Sequence, residues 1–342
     1  NPDMDIFHED PAKASGNTFT PAPGICDWYE TIKINYCDFH TVTWDKMLDI
    51  VMFWASKGVD GFRCDMVELV PWQFFQWMIA KVKQTYRNII FIAEVYDKNL
   101  YGKYANEVGF DLLYDKSGLY DVLLAIEKGH ASCRQITWNW QNLGESIVPN
   151  LLNFIENHDE PRFPSDEFAG TRDREFAHLY TSLFLNTTPF MVYFGEEAGE
   201  RGMDDEGFSG KNNRTTIFDW WSLESIRKIR SGKLPKADKA FFEKFKTALV
   251  TAATDPVIRF GKTFDLCYCN GEWGGFNQDR HFAFLRAYNG KAKLVVSNFS
   301  HEDANLTLNI PIEAYNYLGL GRNVPSQVEA AVKAGDGVII DL

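Results

Sequence analysis

The stretch Gly61-Phe62-Arg63-Cys64-Asp65 decides the fold, because it is a short strand pattern placed between two helical patterns. Before it, Thr43 is a candidate N-cap for an apolar stripe that Gly58 ends, made of Met47, Ile50, Val51, Trp54 and Ala55. After it, Pro71 suits the first turn of a second helix, whose apolar residues share one face: Phe74, Phe75, Met78, Ile79 and Val82. Strands that alternate with helices predict a parallel sheet with crossover connections.

The alternation continues along the chain and then changes. Further strands are predicted at residues 89–93 (a run expected to be buried on both sides), 110–114, 151–155 and 190–194, and helices at 120–127, 174–185, 223–230 and 239–253. Closely spaced strands follow at 257–260, 264–269, 282–288, 292–298, 305–310 and 337–341. We therefore expect an irregular segment over 1–42, a β/α portion over 43–254 and an antiparallel β domain over 255–342.

Composition excludes several classes of function. The 342 residues carry 35 Lys and Arg against 47 Asp and Glu, a net charge of −12, so no positive field favours nucleic acid as a partner. No apolar run is long enough to span a membrane. The six cysteines include no C-x-x-C pair, which argues against a disulfide scaffold and a zinc site. The sequence assigns no cellular compartment.

Charged residues gather where the predicted strands end. Arg63 and Asp65 lie two apart and share a face of their strand, and Glu94 closes the apolar run Phe91-Ile92-Ala93. His158 and Asp159 follow a third strand. Each has an ordinary structural explanation, such as an ion pair or a turn. Together they favour a functional site, because they stand at three strand ends of one predicted sheet. Charges beside buried strands cost desolvation energy, and a purely structural sheet has little reason to repeat that cost.

Three motifs in this order resemble successive sequence regions of the α-amylase family of glycoside hydrolases. They are Gly61-Phe62-Arg63-Cys64-Asp65, Ile92-Ala93-Glu94 and Phe154-Ile155-Glu156-Asn157-His158-Asp159. Residues 189–199, with Gly195-Glu196-Glu197, are similar to the segment that closes the family's last barrel strand, and 294–310 resembles its carboxyl-terminal domain. The resemblance extends from about residue 40 onward.

The resemblance implies an α/β fold, a (β/α)8 TIM-type barrel followed by an antiparallel β-sandwich domain. Because the first predicted strand ends at Asp65, the chain supplies only the last five or so β/α units by this comparison. Five strands leave open edges, so we expect that the chain is a fragment of a longer protein or that its amino-terminal half is not part of this chain. A divergent or inactive barrel is the alternative.

The resemblance also implies retaining chemistry on α-linked glucans or malto-oligosaccharides. Asp65 would be the nucleophile that forms a covalent glycosyl intermediate and Glu94 the acid and base, a pair that retention requires about 5 Å apart. Asp159 and His158 would hold hydroxyls of the same sugar, and Arg63 would orient Asp65. Arg214 is a candidate for a second sugar unit, and Tyr96 for stacking in a glucan cleft.

Two departures from the family pattern leave alternatives open. The motif of an acidic residue followed by Asn-His on the third barrel strand is missing, so a structural calcium ion is possible but not indicated, and the chemistry requires no cofactor. Asp65 is followed by Met66-Val67-Glu68-Leu69 rather than by a Lys-His pair. The alternatives are an α-glucan transglycosylase, a non-catalytic carbohydrate-binding relative or an inactive fragment.

Overall fold

A computed structural model describes residues 34, 36–144, 146–202, 223–321 and 323–342 of the chain. The chain divides into two compact units, Asn1–Tyr114 and Asp115–Leu342. Most of the expected irregular segment 1–42 lies outside the described residues. The domain boundaries expected after residues 42 and 254 stay predictions.

The first unit contains a parallel three-stranded sheet with the order β1-β2-β3, as the alternating pattern predicted. Its elements are α1 (Val42–Ala55), β1 (Gly61–Cys64), α2 (Trp72–Thr85), β2 (Ile90–Ala93) and β3 (Leu112–Tyr114). Gly61 pairs with Ile90, and a Cβ at Gly61 would lie 2.5 Å from the Ile90 carbonyl oxygen, so glycine permits the close approach. Among the described residues β1 pairs only with β2, and this sheet has an open edge.

The two helices of the first unit differ in how well the apolar pattern predicts burial. In α2 the five predicted residues are all buried. In α1 the helix begins at Val42 rather than after a Thr43 cap, and Ile50 and Trp54 of the predicted stripe are half-exposed. Trp44 is buried instead, with its ring 5.6 Å from that of Phe74, so aromatic packing near the N-terminus anchors α1.

Strand β2 is less enclosed than its apolar sequence predicted. Ile90 at its first position is exposed, whereas Phe91 and Ala93 are fully buried. The expectation that the run 89–93 is buried on both sides was therefore wrong at Ile90, because the pleat sends alternate side chains to opposite faces.

The second unit begins with a β/α portion. Its elements are α3 (Asp121–Glu127), α4 (Arg134–Asn142), β4 (Leu151–Leu152), α5 (Glu175–Phe184), α6 (Glu224–Ser231) and α7 (Lys236–Thr254). Asn153 forms a parallel bridge with Phe190, so the predicted strands at 151–155 and 190–194 do lie side by side, although both are shorter than predicted. Helix α4 was not predicted.

The end of the chain forms antiparallel sheets, as its closely spaced strand patterns predicted. One sheet has the order β10-β7-β6-β5, and β8 pairs with β9. The remaining elements are α8 (Pro256–Phe260), β5 (Lys262–Asp265), α9 (Cys267–Asn270), β6 (His281–Tyr288), β7 (Lys291–Asn298), β8 (Ala304–Asn309), α10 (Ile312–Leu318), β9 (Gln327–Val332) and β10 (Gly337–Asp341). Helix α10 and strand β9 were not predicted.

Two strand predictions in this region were wrong because side chains cap helices there. Residues 257–260 are helical in α8, where the Asp255 carboxylate accepts the Val257 N–H at 2.8 Å and Pro256 occupies the first turn. The predicted strand 264–269 ends at Asp265, whose carboxylate accepts the Cys267 N–H at 2.7 Å and starts α9.

Candidate active site

The carboxyl ends of β1 and β2 bring two acidic residues to one edge of the first unit's sheet. Cys64 pairs with Ala93, so the residues that follow them, Asp65 and Glu94, leave the sheet at the same level. The Glu94 N–H donates to the Cys64 carbonyl at 3.1 Å, which extends the ladder by one residue. Two of the predicted site residues, Asp65 and Glu94, therefore lie at adjacent strand ends.

Arg63 lies between the two carboxylates. Its Nη1 donates to Asp65 Oδ1, and its Nη2 lies 3.0 Å from Glu94 Oε1 in an ion pair that is not a hydrogen bond. Burial opposes the charge of Arg63, but the charge of Glu94 and the hydrogen bond to Asp65 outweigh it and raise the Arg63 pKa above its usual value. The guanidinium is therefore a permanent cation between the two carboxyl groups.

The two carboxylates differ sharply in exposure. The side chain of Asp65 is 66% exposed and that of Glu94 is 4% exposed. Glu94 Oε1 accepts the hydroxyl hydrogen of Tyr96 at 2.8 Å, and Glu94 Oε2 accepts the N–H of Met66 at 2.7 Å. One carboxylate is open to a ligand, while the other is held in place by donors on both oxygens.

Met66 has a left-handed backbone with φ 43° and ψ 50°, which a non-glycine residue rarely adopts. This conformation directs its N–H to Glu94, so the residue after Asp65 ties the end of β1 to the end of β2. Backbone strain of this kind is stored at functional sites more often than elsewhere.

Cys64 precedes Asp65 and has no part as a nucleophile. Burial, opposed by the charge of Arg63, raises the pKa of the Cys64 thiol to about 12, so the thiol is protonated at neutral pH. Within the described ranges no cluster of three His, Cys, Asp or Glu side chains has the arrangement to hold a metal ion. No described helix is both long and apolar enough to cross a membrane.

In the second unit, the segment after β4 forms a turn organised by Asn157. The buried Asn157 Oδ1 accepts the N–H groups of Asp159 at 2.8 Å and Glu160 at 2.9 Å. His158 Nε2 lies 3.1 Å from Asp159 Oδ2, and both side chains are partly exposed. The turn presents a histidine and a carboxylate to solvent while its own backbone donors are satisfied.

Glu160, next in sequence, was not predicted as a site residue. Its Oε2 accepts the Tyr120 hydroxyl at 3.2 Å, and Lys116 Nζ lies 3.5 Å from Oε1. Burial raises the Glu160 pKa against the opposing charge of Lys116. Lys116 also pairs with Asp121 at 2.9 Å. These contacts buttress the turn that carries His158 and Asp159.

Three glutamates of the second unit are completely buried, two of them within the resembling motifs. Glu156 pairs with Arg162 at 2.8 Å, and Arg162 Cζ lies 4.3 Å from the Tyr193 ring centroid. Glu196 Oε2 accepts the Tyr193 N–H at 2.8 Å. Burial, and after it the charge of Glu196, raises the pKa of Glu175 well above its usual value. Because at most 1% of each residue is exposed, these three carboxyl groups are not accessible to a ligand.

The structure thus brings Arg63, Asp65, Glu94 and Tyr96 together in the first unit. His158 and Asp159 contact each other in the second unit, and Arg214 lies outside the described residues. Tyr96, a candidate from the sequence for stacking in a glucan cleft, is 39% exposed and has a hydroxyl that donates to Glu94. Its role in a cleft stays a prediction. The hydrogen bonds of the Met66 N–H and of the Glu68 side chain were not predicted from the sequence. The absence of the family's Lys-His pair after Asp65 was the one signal that this segment differs from the family pattern.

Comparison with known proteins identifies the family. Residues 34–259, more than half of the chain, match the family profile described as Alpha amylase, catalytic domain. The chain belongs to the α-amylase family. The resemblance carried by the three motifs is confirmed, and with it an enzyme family that acts on α-glucans.

Solved structures of the α-amylase family share this fold. The H. orenii α-amylase superposes with a TM-score of 0.66 at 16% identity, covering 92% of this chain and 67% of that one. A Nostoc punctiforme debranching enzyme gives 0.65 at 15% identity, covering 98% and 71%. A cyclic α-maltosyl-(1→6)-maltose hydrolase from Arthrobacter globiformis gives 0.64 at 14% identity, covering 89% of this chain and 60% of its own. These likenesses show a TIM-barrel-like fold with a carboxyl-terminal sheet domain.

A second group of α-amylase-family relatives is similar over a short stretch. The α-1,4-glucan:maltose-1-phosphate maltosyltransferase of Cereibacter sphaeroides is 35% identical over 71 residues, 21% of this chain and 12% of that protein. The Rhodospirillum rubrum enzyme of the same name is 37% identical over 71 residues, 10% of its length. The chain therefore matches only a small part of these transferases.

Proposed function

We propose that this chain is a retaining α-glucan-active enzyme in which Asp65 is the nucleophile and Glu94 the acid and base. The observation that carries the proposal is the Arg63 guanidinium, which contacts an exposed carboxylate with one nitrogen and a buried one with another. A nucleophile must be ionised and reachable, and an acid must be shielded from water. Asp65 is the carboxylate that a substrate can reach, and Glu94 is the one shielded from water.

The reaction has two steps. Asp65 attacks the anomeric carbon while the glycosidic C–O bond breaks and the proton of Glu94 moves to the leaving oxygen. Water or a sugar hydroxyl then attacks the glycosyl-Asp65 ester, its proton returns to Glu94, and the ester bond breaks. The positive charge of Arg63 stabilises the Asp65 carboxylate before the attack and the Glu94 carboxylate after its proton has left.

The family resemblance supplies the remaining roles. Asp159 binds the sugar hydroxyls and favours the distorted transition state, His158 donates to a hydroxyl of the same ring, and Arg214 contacts a second sugar unit. The Arthrobacter globiformis hydrolase has been solved in complex with cyclic α-maltosyl-(1→6)-maltose and with maltose, which supports malto-oligosaccharides as the substrate class.

Transfer to a sugar acceptor is the second candidate function. The observation that favours it is the identity to maltosyltransferases over 71 residues, which exceeds the identity to any hydrolase structure named above. Both reactions use the same intermediate, so the difference is whether water or a hydroxyl reaches glycosyl-Asp65 first.

Proton NMR of maltoheptaose incubated with the protein tests the proposal. Retention predicts that new reducing ends form first as the α-anomer. Hydrolysis gives only shorter products, whereas transfer also gives longer ones. Absence of turnover on maltoheptaose and on α-1,6-linked substrates contradicts the enzyme proposal and favours a carbohydrate-binding relative.

Variants assign the two roles. Asp65→Asn and Glu94→Gln should each lower kcat by about 10³-fold or more, because each removes a group that acts in the transition state. Asp49→Asn on the exposed face of α1 is the matched control and should retain full activity. Trapping with a fluorinated glucosyl fluoride, followed by peptide mass spectrometry, should label Asp65. A label on another residue would refute the assignment of the nucleophile.

A further inference from the structure

Glu68 holds the loop that leaves the end of β2. It lies in the single turn Val67–Leu69 that follows Asp65, and it is half-buried. Its Oε2 accepts the N–H of Tyr96 at 2.8 Å, and its Oε1 accepts the N–H of Asp97 at 3.1 Å. A carboxylate that accepts two consecutive backbone donors makes two charge-assisted hydrogen bonds, each stronger than a neutral one.

The loop that Glu68 holds is also fixed from its other side. The Asp97 carboxylate accepts the N–H of Asn99 at 2.9 Å and caps the short turn Lys98–Leu100. The main chain at Tyr96 is thus fixed between the end of β2 and a capped turn, which sets the point from which its side chain starts. From that point Tyr96, which is 39% exposed, places its hydroxyl on Glu94 Oε1.

The Tyr96 hydroxyl meets one particular oxygen of Glu94. Oε2 accepts the N–H of Met66, a group that can only donate, so a proton on Oε2 would face another hydrogen. The transferable proton therefore belongs on Oε1, because its hydrogen-bond partner at 2.8 Å, the Tyr96 hydroxyl, can accept as well as donate. Arg63 Nη2, 3.0 Å from Oε1, forms an ion pair with Glu94 but no hydrogen bond to it. A hydroxyl can donate to an ionised Oε1 or accept from a protonated one.

We propose that Glu68 is a positioning residue for the reaction, holding the Tyr96 hydroxyl against Oε1 of Glu94 in both of its protonation states. This inference rests on the proposed function of Glu94 as acid and base. The proton that leaves Oε1 for the leaving oxygen returns to the same Oε1 from the attacking water or hydroxyl. Tyr96 keeps that oxygen aimed in one direction through both steps.

Among the described residues, few charged or titratable groups face Glu94, Tyr96 and Glu68. Arg63 faces Glu94 from β1, Tyr96 faces it from the end of β2, and Tyr104 faces Glu68. Burial, and after it the charge of Glu68, raises the pKa of Tyr104 to about 12, so Tyr104 does not titrate in the working range. The Tyr104 hydroxyl donates to the Val67 carbonyl at 3.2 Å and supports the turn that carries Glu68.

The pH dependence of kcat/KM tests the role of Tyr96. Tyr96→Phe removes a donor to the ionised carboxylate, so deprotonation of the acid becomes harder and the alkaline limb should move upward by about one pH unit. We expect kcat to fall by about tenfold, with KM changed less than about twofold. Tyr86→Phe in the same unit is the matched control and should leave the profile unchanged.

Glu68 variants should act in the same direction in a graded way. Glu68→Gln retains one acceptor oxygen and Glu68→Ala retains none, so the alkaline limb should shift further in Ala than in Gln. Glu107→Gln on the exposed side of the same unit is the control. If the rate instead falls by one factor at every pH, in step with a lower Tm, Glu68 is only structural and the inference is wrong.

Amide hydrogen exchange separates this inference from the proposed function, since it requires no turnover. Exchange at Tyr96 and Asp97 should accelerate about tenfold or more at one of these amides in Glu68→Gln and at both in Glu68→Ala. Unchanged exchange overturns the inference even in an active enzyme. A wild-type protein without glucan turnover overturns the proposed function and the catalytic part of the inference, and accelerated exchange then still supports the contact of Glu68 with the loop.

Discussion

Arg63 makes contacts that only a planar, forked cation can make together. Its two terminal nitrogens reach two carboxylates at the ends of different strands. A lysine at this position has one terminal nitrogen in place of two, so it cannot occupy both of the positions from which Nη1 contacts Asp65 and Nη2 contacts Glu94. The site therefore depends on arginine for geometry as well as for charge.

Arg63→Lys should lower kcat/KM by about 10²-fold or more, because Glu94 or Asp65 loses its cation while the net charge is unchanged. Steady-state kinetics on maltoheptaose measures this, with Tm as a check on folding. Arg87→Lys, at an exposed position of the same unit, should show wild-type activity. Full activity in Arg63→Lys would mean that one positive charge is sufficient and that the fork is irrelevant.

The central residues of the site could be predicted from the sequence, but their hydrogen-bond network could not. The two-residue period of a strand puts Arg63 and Asp65 on one face. Glu94 follows the next predicted strand, so the order of the strands puts it beside them. The backbone N–H of Met66 donates to Glu94, and this hydrogen bond depends on the left-handed conformation of Met66. The Glu68 carboxylate accepts a backbone N–H, and that hydrogen bond depends on the path of the loop after β2. Neither leaves a periodic pattern in the sequence.

At the scale of elements, prediction succeeded where apolar periodicity was long and failed where capping decided the structure. Helix α2 buries all five predicted residues over 14 positions. Residues 257–260 are as apolar as a buried strand, yet the Asp255 carboxylate and Pro256 start a helix there. A four-residue apolar run carries too little period to distinguish the two structures, so one capping side chain settles the outcome.

Helix α5, helix α8 and strand β6 are joined by a single buried cation. Arg286 is fully buried and donates to four backbone carbonyls, those of Phe184, Asn186, Ile258 and Gly261, at 2.6 to 2.8 Å. Burial lowers its pKa to about 10, which leaves it charged at neutral pH. These carbonyl groups lie near the carboxyl-terminal ends of α5 and α8, where helix carbonyls lack an intrahelical donor, so Arg286 acts as a shared C-terminal cap.

Arg286→Lys should destabilise the protein by about 2 to 4 kcal/mol, because one ammonium has three donors and cannot satisfy four carbonyls in that geometry. Urea unfolding followed by circular dichroism measures the loss. Arg230→Lys at an exposed position of α6 is the control and should change stability by less than about 0.5 kcal/mol. Wild-type stability in Arg286→Lys would show that water replaces the missing donors.

Over the whole molecule, buried titratable groups make stability depend on pH in two opposite directions. Burial lowers the pKa of His178 and of His281 from 6.5 to about 4. Below about pH 6.5 the unfolded chain therefore binds protons that the folded chain does not, and stability falls as pH drops towards 4. Burial raises the pKa of Glu175 and of Glu196 above 4.5, so these groups lower stability as pH rises from about 4.5.

Glu175→Gln tests the alkaline half of this balance. Both Glu175 oxygens are buried without a hydrogen-bond partner among the described residues, so the fold favours the neutral carboxyl, and a neutral amide of the same shape does not titrate. Stability should match wild type near pH 4.5, and at pH 8 the variant should be more stable by about 1 kcal/mol or more. Urea unfolding at pH 4.5, 6.5 and 8 measures the difference, with Glu167→Gln at an exposed position as the pH-independent control. A variant that is less stable than wild type at pH 8 would mean that the Glu175 carboxylate is ionised and paired in the folded chain, and that the buried glutamates of this unit stabilise it by charge.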